Sequence, residues 1–280
     1  MKSVKKMQQI SKKLHLEGMT IGLVPTMGYL HEGHLSLVSR SKKTSDITVV
    51  SIFVNPSQFG PKEDFGKYPR DLKRDKRMLR DAGADFIFIP FAEEIYPVDF
   101  QTYVNVDKIT KILEGESRPT HFRGVTTIVA MLFNIVSPDS AYFGQKDAQQ
   151  AFVIRQMVHD LKFNVKVVVI PIVREKDGLA LSSRNIFLDK KERQESLVLN
   201  YSLLYARKII SKGRNDSAKI ISGMNGIINR ADTSDLDYIN IVDALSFSPV
   251  KKLVHGRKYY VLIACRFGKT RLIDNILVKA

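Results

Sequence analysis

The chain reads as an α/β protein, a doubly wound parallel sheet followed by a smaller α+β domain. Three observations predict this. Apolar, β-branched runs ("MTIGLVPT", "SDITVVSIFVN", "ADFIFIP", "SAYFG", "VKVVVIPIV") alternate with helix-like stretches ("HLSLVSRSKK", "RDLKRDKRMLRDAG", "TTIVAMLFNIVS", "AQQAFVIRQMVHDL"). The runs are nearly continuous in Val, Ile and Phe, as strands covered on both faces require. After "VVVIPIV" the alternation gives way to helices and then strands, which predicts two domains, 1–172 and 173–280.

Element by element, Val4, Met7, Ile10 and Leu14 recur at helical spacing between lysines. The basic opening is therefore expected to be a first helix closed by Gly18, not a secretory signal. "TIGLVPT" is expected as a buried strand, Met27 to Glu32 as a loop, and Gly33 onward as a helix with Leu35, Leu37 and Val38 on its apolar side. In the second domain a polar loop, "REKDGLALSSRN", leads into one long charged helix, "DKKERQESLVLNYSLLYARKIISKG", and a further helical segment near "SAKIISGMNGIINRA". Three strands follow, "LDYINIVDA", "KYYVLIACRF" and "TRLIDNILV", the last two joined by a tight turn at Gly268 and Lys269.

Composition narrows the function classes. The 280 residues are 44% hydrophobic with no Trp, and no apolar run approaches the ~18 residues of a membrane span. Cys265 is the single cysteine and sits in a strand-like run, so no disulfide framework or thiolate metal cluster is expected. A reducing cytoplasm fits this best. The formal charge of +15 and the pI of about 9.7 are compatible with nucleic-acid binding. No compact Lys/Arg block with interleaved aromatics appears, so dispersed lysines that aid solubility and attract an anionic substrate are the expectation, without nucleic-acid or membrane partners.

Chemistry concentrates in "VPTMGYLHEGHLSLV", residues 24–38. Its two histidines fall where a strand ends and a helix begins, the place at which open α/β sheets bind ligands. Free backbone N–H groups and the positive end of the helix dipole suit phosphate there, and Gly28 and Gly33 permit close backbone approach. Gly28 and Gly33 have the spacing of a Walker A loop, but His34 and Leu35 follow where Lys and Ser or Thr are required. HExxH is not matched, since the histidines are three apart, and GxGxxG is absent. Each histidine read singly is a polar loop residue or a helix cap. The pair at a helix start is suited to donating hydrogen bonds to phosphoryl oxygens as charge moves onto a leaving pyrophosphate. HxGH in this setting is similar to the signature of nucleotidyltransferases, which attack the α-phosphate of a nucleoside triphosphate.

Other predicted strand ends carry further candidates. "FVNPSQFGPKEDFGKYPR" offers Asn55 and Gln58, amides able to hold a carboxylate or hydroxyl, although Asn-Pro and Phe-Gly are also ordinary turn makers. Arg123, just before an apolar helix, is either an anion contact or a plain exposed arginine. "AYFGQKDAQQ" places Gly144, Gln145, Lys146 and Asp147 in a turn before a helix whose first turn holds Gln150. "VREKDGLALSSRN" contains Gly178, Ser182, Ser183 and Arg184, which suit a mobile loop closing on a triphosphate; read alone, it fits a solvated linker equally well.

Taken in order, "VPTMGYLHEGH", "SIFVNPSQFG", "YPR", "FRGV", "FGQKD" and "DGLALSSRN" closely resemble the pantoate–β-alanine ligases over essentially the whole chain. The resemblance implies a Rossmann-like, nucleotidyltransferase-type sheet. It further implies an ATP-dependent ligation through an enzyme-bound pantoyl adenylate, with release of pyrophosphate and then, on attack by β-alanine, of AMP and pantothenate. His34 would be proton donor to the leaving phosphate, with His31 and Lys146 as companions. ATP would lie on Met27, Gly28, Tyr29, Leu30, His31, Glu32, Gly33 and His34, on Gly144, Gln145, Lys146 and Asp147, and on Val173, Leu181, Ser182, Ser183 and Arg184. Gln58 and Gln150 would hold pantoate, Gln58 would also meet β-alanine, Mg²⁺ would bridge the phosphates, and the protein would be a homodimer. Departures from the family pattern are Tyr29, where a small residue or Asn is usual, and Ala148, where an aromatic is common. Arg74 stands where the family tends to be acidic, so no metal ligand is carried over.

Overall fold

The structure is a computed structural model that describes residues 1–60 and 65–280; the part of the expected loop at 61–64 lies outside the described residues. The chain divides into two compact units, Met1–Gln145 with Gln149–Pro171, and Lys146–Ala148 with Ile172–Ala280.

In the first unit, strands β1 (Ile21–Thr26), β2 (Ile47–Ile52), β3 (Phe86–Phe88), β4 (Ser140–Gly144) and β5 (Lys166–Ile170) form a sheet in the order 3-2-1-4-5. All four pairings are parallel, with Thr26 beside Ile52 and Gly144 beside Ile170. Helices α1 (Val4–Leu16), α2 (Glu32–Thr44) and α3 (Leu72–Asp81) come between or before the early strands, and short helices α4 (Ala92–Ile95) and α5 (Glu114–Ser117) precede α6 (His121–Val136) and α7 (Ala148–Asp160). Alternate strand residues point into different cores. Leu23, Val49, Ala141 and Phe143 pack with α1, α6 and α7, whereas Val24, Val50 and Tyr142 pack with Leu37 and Val38 of α2 and Leu79 of α3. Both faces are thus apolar, which is why the strands read as unbroken hydrophobic runs.

Local signals act as expected at several ends. Gly18, at φ +76°, follows α1, and its N–H bonds to the His15 carbonyl while Met19 N–H bonds to that of Leu14, a Schellman closure. α2 begins at Glu32, one residue before the expected start, because His31 is its N-cap.

The second unit contains α8 (Lys190–Glu195), α9 (Val198–Ser211) and α10 (Ser217–Ile228), then β6 (Ser234–Asp243), β7 (Lys258–Phe267) and β8 (Thr270–Lys279) in one antiparallel sheet of order 6-7-8. Phe267 pairs with Thr270 across the two-residue turn, where Gly268 has φ +54°. The single long helix expected from residue 189 is instead two. Buried Ser196 turns its hydroxyl back to the Arg193 carbonyl at 2.8 Å, and its N–H is shared between the Glu192 and Gln194 carbonyls, which tightens the chain into a turn. Cys265 is fully buried in the core of this unit, and burial pushes its thiol up to about 12.

Candidate active site

Parallel strands all present their carboxyl ends at one edge, and in the order 3-2-1-4-5 the direction of winding reverses between β1 and β4. The turn from β1 to α2 leaves at that switch point. Thr26 Oγ1 donates to the Ser51 carbonyl at 2.7 Å and accepts from Gly28 N–H at 3.2 Å, fixing the exit from β1. Gly28 has φ +84° and Tyr29 φ +51°, so two consecutive residues are left-handed. Glycine occupies such a conformation readily; for tyrosine it is unfavourable. The conformation is held by Asp75 of α3, 1% exposed, whose two carboxylate oxygens each accept one N–H at 2.8 Å, from Tyr29 and Leu30. The two departures at Tyr29 and Arg74 meet each other, the guanidinium of Arg74 lying 5.3 Å from the centre of the Tyr29 ring.

The two histidines form a reciprocal cap. His31 Nδ1 accepts from Gly33 N–H at 3.1 Å, and His34 Nδ1 accepts from His31 N–H at 3.4 Å, with ring centroids 4.2 Å apart. A ring nitrogen that accepts cannot carry the proton, so in both neutral rings the proton sits on Nε2. Each imidazole is therefore both the helix cap and an Nε2–H donor. The cap occupies Nδ1 of each ring, so a capping role and a ligand role would fall on different nitrogens.

Next to this turn lies the Asn55–Gln58 turn that follows β2. Gln58, 7% exposed, donates through Nε2 to Met27 Sδ at 2.9 Å and accepts at Oε1 from Asn55 Nδ2 at 3.2 Å. Asn55 Nδ2 also donates to the Gly124 carbonyl at 3.0 Å, and the hydroxyl of Tyr96 donates to Asn55 Oδ1. The Gln58 carbonyl accepts from His121 Nδ1 at 3.1 Å, and His121 Nε2 then accepts from Arg118 at 3.2 Å. α6 approaches this turn so closely that a Cβ at Gly124 would stand 2.4 Å from the Ser57 carbonyl oxygen and 2.5 Å from Gln58 N. Glycine in "FRGV" is thus required by packing. Arg123, beside it, is exposed and stacks over Tyr103, its guanidinium 4.6 Å from the ring centre.

The first unit therefore brings together Met27 to His34 and Gln58, with Gly144 and Gln145 at the end of the neighbouring strand β4. Gln150 is half-buried on the first turn of α7, whereas Gln149 beside it is buried and spends its amide on Ile109, Ile112 and Glu114 of the main chain. In the second unit are Lys146 and Asp147, with an Nζ to carboxylate distance of 3.7 Å, and the stretch from Val173 to Arg184. Leu181 N–H bonds to the Val173 carbonyl at 3.0 Å, and Ser182 Oγ caps the short turn Ser183–Phe187 by accepting from Arg184 N–H.

The expected polar loop is a bonded hairpin. Glu175 N–H meets the Leu179 carbonyl, Arg174 bridges Ala180, and Arg193 of α8 holds both Glu175 and Asp177 at 2.8 and 2.7 Å. Asp75, Arg118 and His121 shape the site without having been singled out as site residues from the sequence. A histidine directly before the predicted helix in "RPTHFRGV" was a usable signal for His121; Asp75 is hidden in a run of charges that looks like a solvated helix face.

A doubly wound 3-2-1-4-5 sheet whose switch point carries an HxGH pair capping a helix defines an α/β protein of the nucleotidyltransferase superfamily. Within it, the chain belongs to the pantoate-beta-alanine ligase family, whose model matches residues 1–277. The chain is 54% identical over 277 residues to the pantothenate synthetase of Caldicellulosiruptor bescii, covering 99% of this chain and 98% of that protein. The crystal structure of the pantothenate synthetase of Thermus thermophilus superposes with a TM-score of 0.92 at 43% identity, covering 99% and 98% of the two chains. A Francisella tularensis pantoate-beta-alanine ligase, described as complexed with βγ-ATP and β-alanine, superposes at 0.81 with 33% identity, covering 99% and 96%. Among the described residues, no helix is long and apolar enough to cross a membrane.

Proposed function

We propose that this chain condenses pantoate with β-alanine at the expense of ATP, giving pantothenate, AMP and pyrophosphate by way of an enzyme-bound pantoyl adenylate. The observation that carries the reaction class is the His31–His34 cap, in which each ring accepts through Nδ1 and carries its proton on Nε2 at a helix N-terminus, on a turn whose Met27 is hydrogen-bonded to Gln58. A triphosphate on the Met27–His34 turn meets the positive end of α2 and both imidazoles; the N–H groups of Gly28 to His31 and of Gly33 are taken up inside the turn and by Asp75. As the pantoate carboxylate attacks the α-phosphorus, charge grows on the departing pyrophosphate. His34 donates to it from Nε2, His31 assists, and Lys146 adds a full positive charge. Gln58 orients the pantoate carboxylate or hydroxyl together with Gln150, and Gln58 then guides the β-alanine amine to the activated acyl carbon.

The Gly144–Asp147 turn, Val173 and Leu181–Arg184 complete the nucleotide site. ATP enters as its Mg²⁺ complex. Among the described residues no three His, Cys, Asp or Glu side chains cluster to cage a metal. The protein acts as a homodimer in the cytoplasm. The test is an assay of AMP and pyrophosphate with pantoate and β-alanine omitted in turn, together with pyrophosphate exchange into ATP. Exchange that requires pantoate and AMP release that requires β-alanine are expected; exchange without any carboxylic acid overturns the proposal.

A further inference from the structure

In the second unit, Lys146 and the hairpin leading to Ser182–Arg184 are tied to the same two residues of β8, although some 30 residues separate them along the chain. Asp274 is 2% exposed and Asn275 1%. Arg174 forks onto Asp274, Nη1 donating to Oδ2 at 2.6 Å and Nη2 to Oδ1 at 2.9 Å. The same guanidinium donates to the Gly178 carbonyl at 3.0 Å and to the Asn275 carbonyl at 3.3 Å. Asn275 Nδ2 donates in turn to the Lys146 main-chain carbonyl at 2.9 Å, and Asn275 N–H to Asp274 Oδ1 at 2.7 Å. At the tip of the hairpin Gly178 has φ +99°, and a Cβ there would stand 2.1 Å from Asn200 Nδ2, so α9 seats the turn from its other side.

We infer that Asp274 and Asn275 are positioning residues for the nucleotide, setting Lys146 and the Ser182–Arg184 turn in the relation that triphosphate binding needs. This rests on the proposed assignment of Lys146 and Leu181–Arg184 to ATP. Neither β8 residue is required to touch substrate. A lysine carries its charge on a long flexible stem, so fixing the main chain at its root limits where the ammonium can reach. The carboxylate of Asp274 acts through Arg174, whose five donors let one side chain hold the hairpin's tip and its root together. Burial pushes the Asp274 carboxyl up and the Arg174 guanidinium opposes this, as for an ion pair built into a packed interior. The two residues act on the first half-reaction, in which the triphosphate is present, and not on aminolysis of an adenylate already formed.

The experiment compares Asn275→Ala and Arg174→Lys with the unmodified chain in pantoate-dependent pyrophosphate exchange, and in aminolysis of preformed pantoyl adenylate by β-alanine. Both substitutions keep a charge or a small side chain at the site, whereas Arg174→Ala would strand a buried carboxylate and threaten folding. Each is expected to lower kcat/KM for ATP in exchange by about 10- to 100-fold, while KM for pantoate and the aminolysis rate stay within about twofold. Equal losses in both half-reactions, or unchanged exchange, overturn the inference. Lys146→Ala is measured alongside. If it leaves exchange intact, the assignment of Lys146 to the nucleotide fails; if it abolishes exchange while Asn275→Ala does not, the positioning inference alone fails.

Discussion

Replacing Gly124 by alanine is expected to damage the pantoate side of the site from a position that has no side chain of its own. The added Cβ would lie 2.4 Å from the Ser57 carbonyl oxygen and 2.5 Å from Gln58 N, where ordinary contact begins at 3.4 Å. Both obstacles are backbone, so α6 and the Asn55–Gln58 turn must separate by about 1 Å, an overpacking that costs roughly 1–3 kcal/mol. Separation also stretches the bond from Asn55 Nδ2 to the Gly124 carbonyl, now 3.0 Å, at a further cost of about 1 kcal/mol. The sum, about 2–4 kcal/mol, corresponds to a fall in Tm of roughly 3–7 °C for a chain of this size.

Gln58 moves with its turn, and a displacement near 1 Å is enough to lower catalytic efficiency by about 10- to 100-fold. The loss should appear as a raised KM for pantoate in pyrophosphate exchange, with KM for ATP little changed. Thermal unfolding by circular dichroism gives the stability. A variant with the parent's Tm and KM for pantoate would refute the packing argument; an equal rise in both KM values would refute the assignment of Gln58 to pantoate.

Other substitutions separate scaffolding from chemistry. In His34→Asn, Oδ1 can replace Nδ1 as acceptor for His31 N–H but nothing replaces Nε2–H. Stability should stay within about 0.5 kcal/mol while pyrophosphate exchange falls about 100- to 1,000-fold; retained exchange would remove His34 from the chemistry. In Asp75→Asn, an amide can accept from only one of the two N–H groups at Tyr29 and Leu30, so unfolding in urea should show a loss of about 1.5–3 kcal/mol. Exchange should fall with it as the left-handed turn relaxes, and an unaltered urea midpoint would show that the turn holds itself. Because burial raises the Cys265 thiol to about 12, almost no thiolate exists at pH 8. Thiol reagents should leave the native protein unmodified and label it only after unfolding, and rapid labelling of the active protein would contradict the packing of β7.

Fold class, the strands of the first unit and the HxGH helix start were legible because each leaves a local mark. A strand covered on both faces must be apolar at successive positions, as in "ITVVSI", and a helix start needs a capping acceptor for its first N–H groups, as His31 provides for Gly33. The break at Ser196 was not legible. Its cause is a side-chain bond back to the main chain, and serine occurs in unbroken helices as well. "REKDGLALSSRN" looked like a polar loop because its order comes from partners elsewhere in the chain, Arg193, Asn200 and Asp274, with none of the periodicity that marks a strand.

What the amino-acid sequence determined by itself is the class of chemistry, since a turn for phosphate, two imidazoles and neutral amides are all contiguous motifs. Tertiary structure alone decided how those groups are held. Asp75 reaches the Tyr29–Leu30 amides from 45 residues away or more, Gly124 is read only against Ser57 and Gln58, and Asn275 meets Lys146 across 129 residues. Such partners are set by how helices and strands pack, and packing brings together residues whose spacing along the chain follows no period.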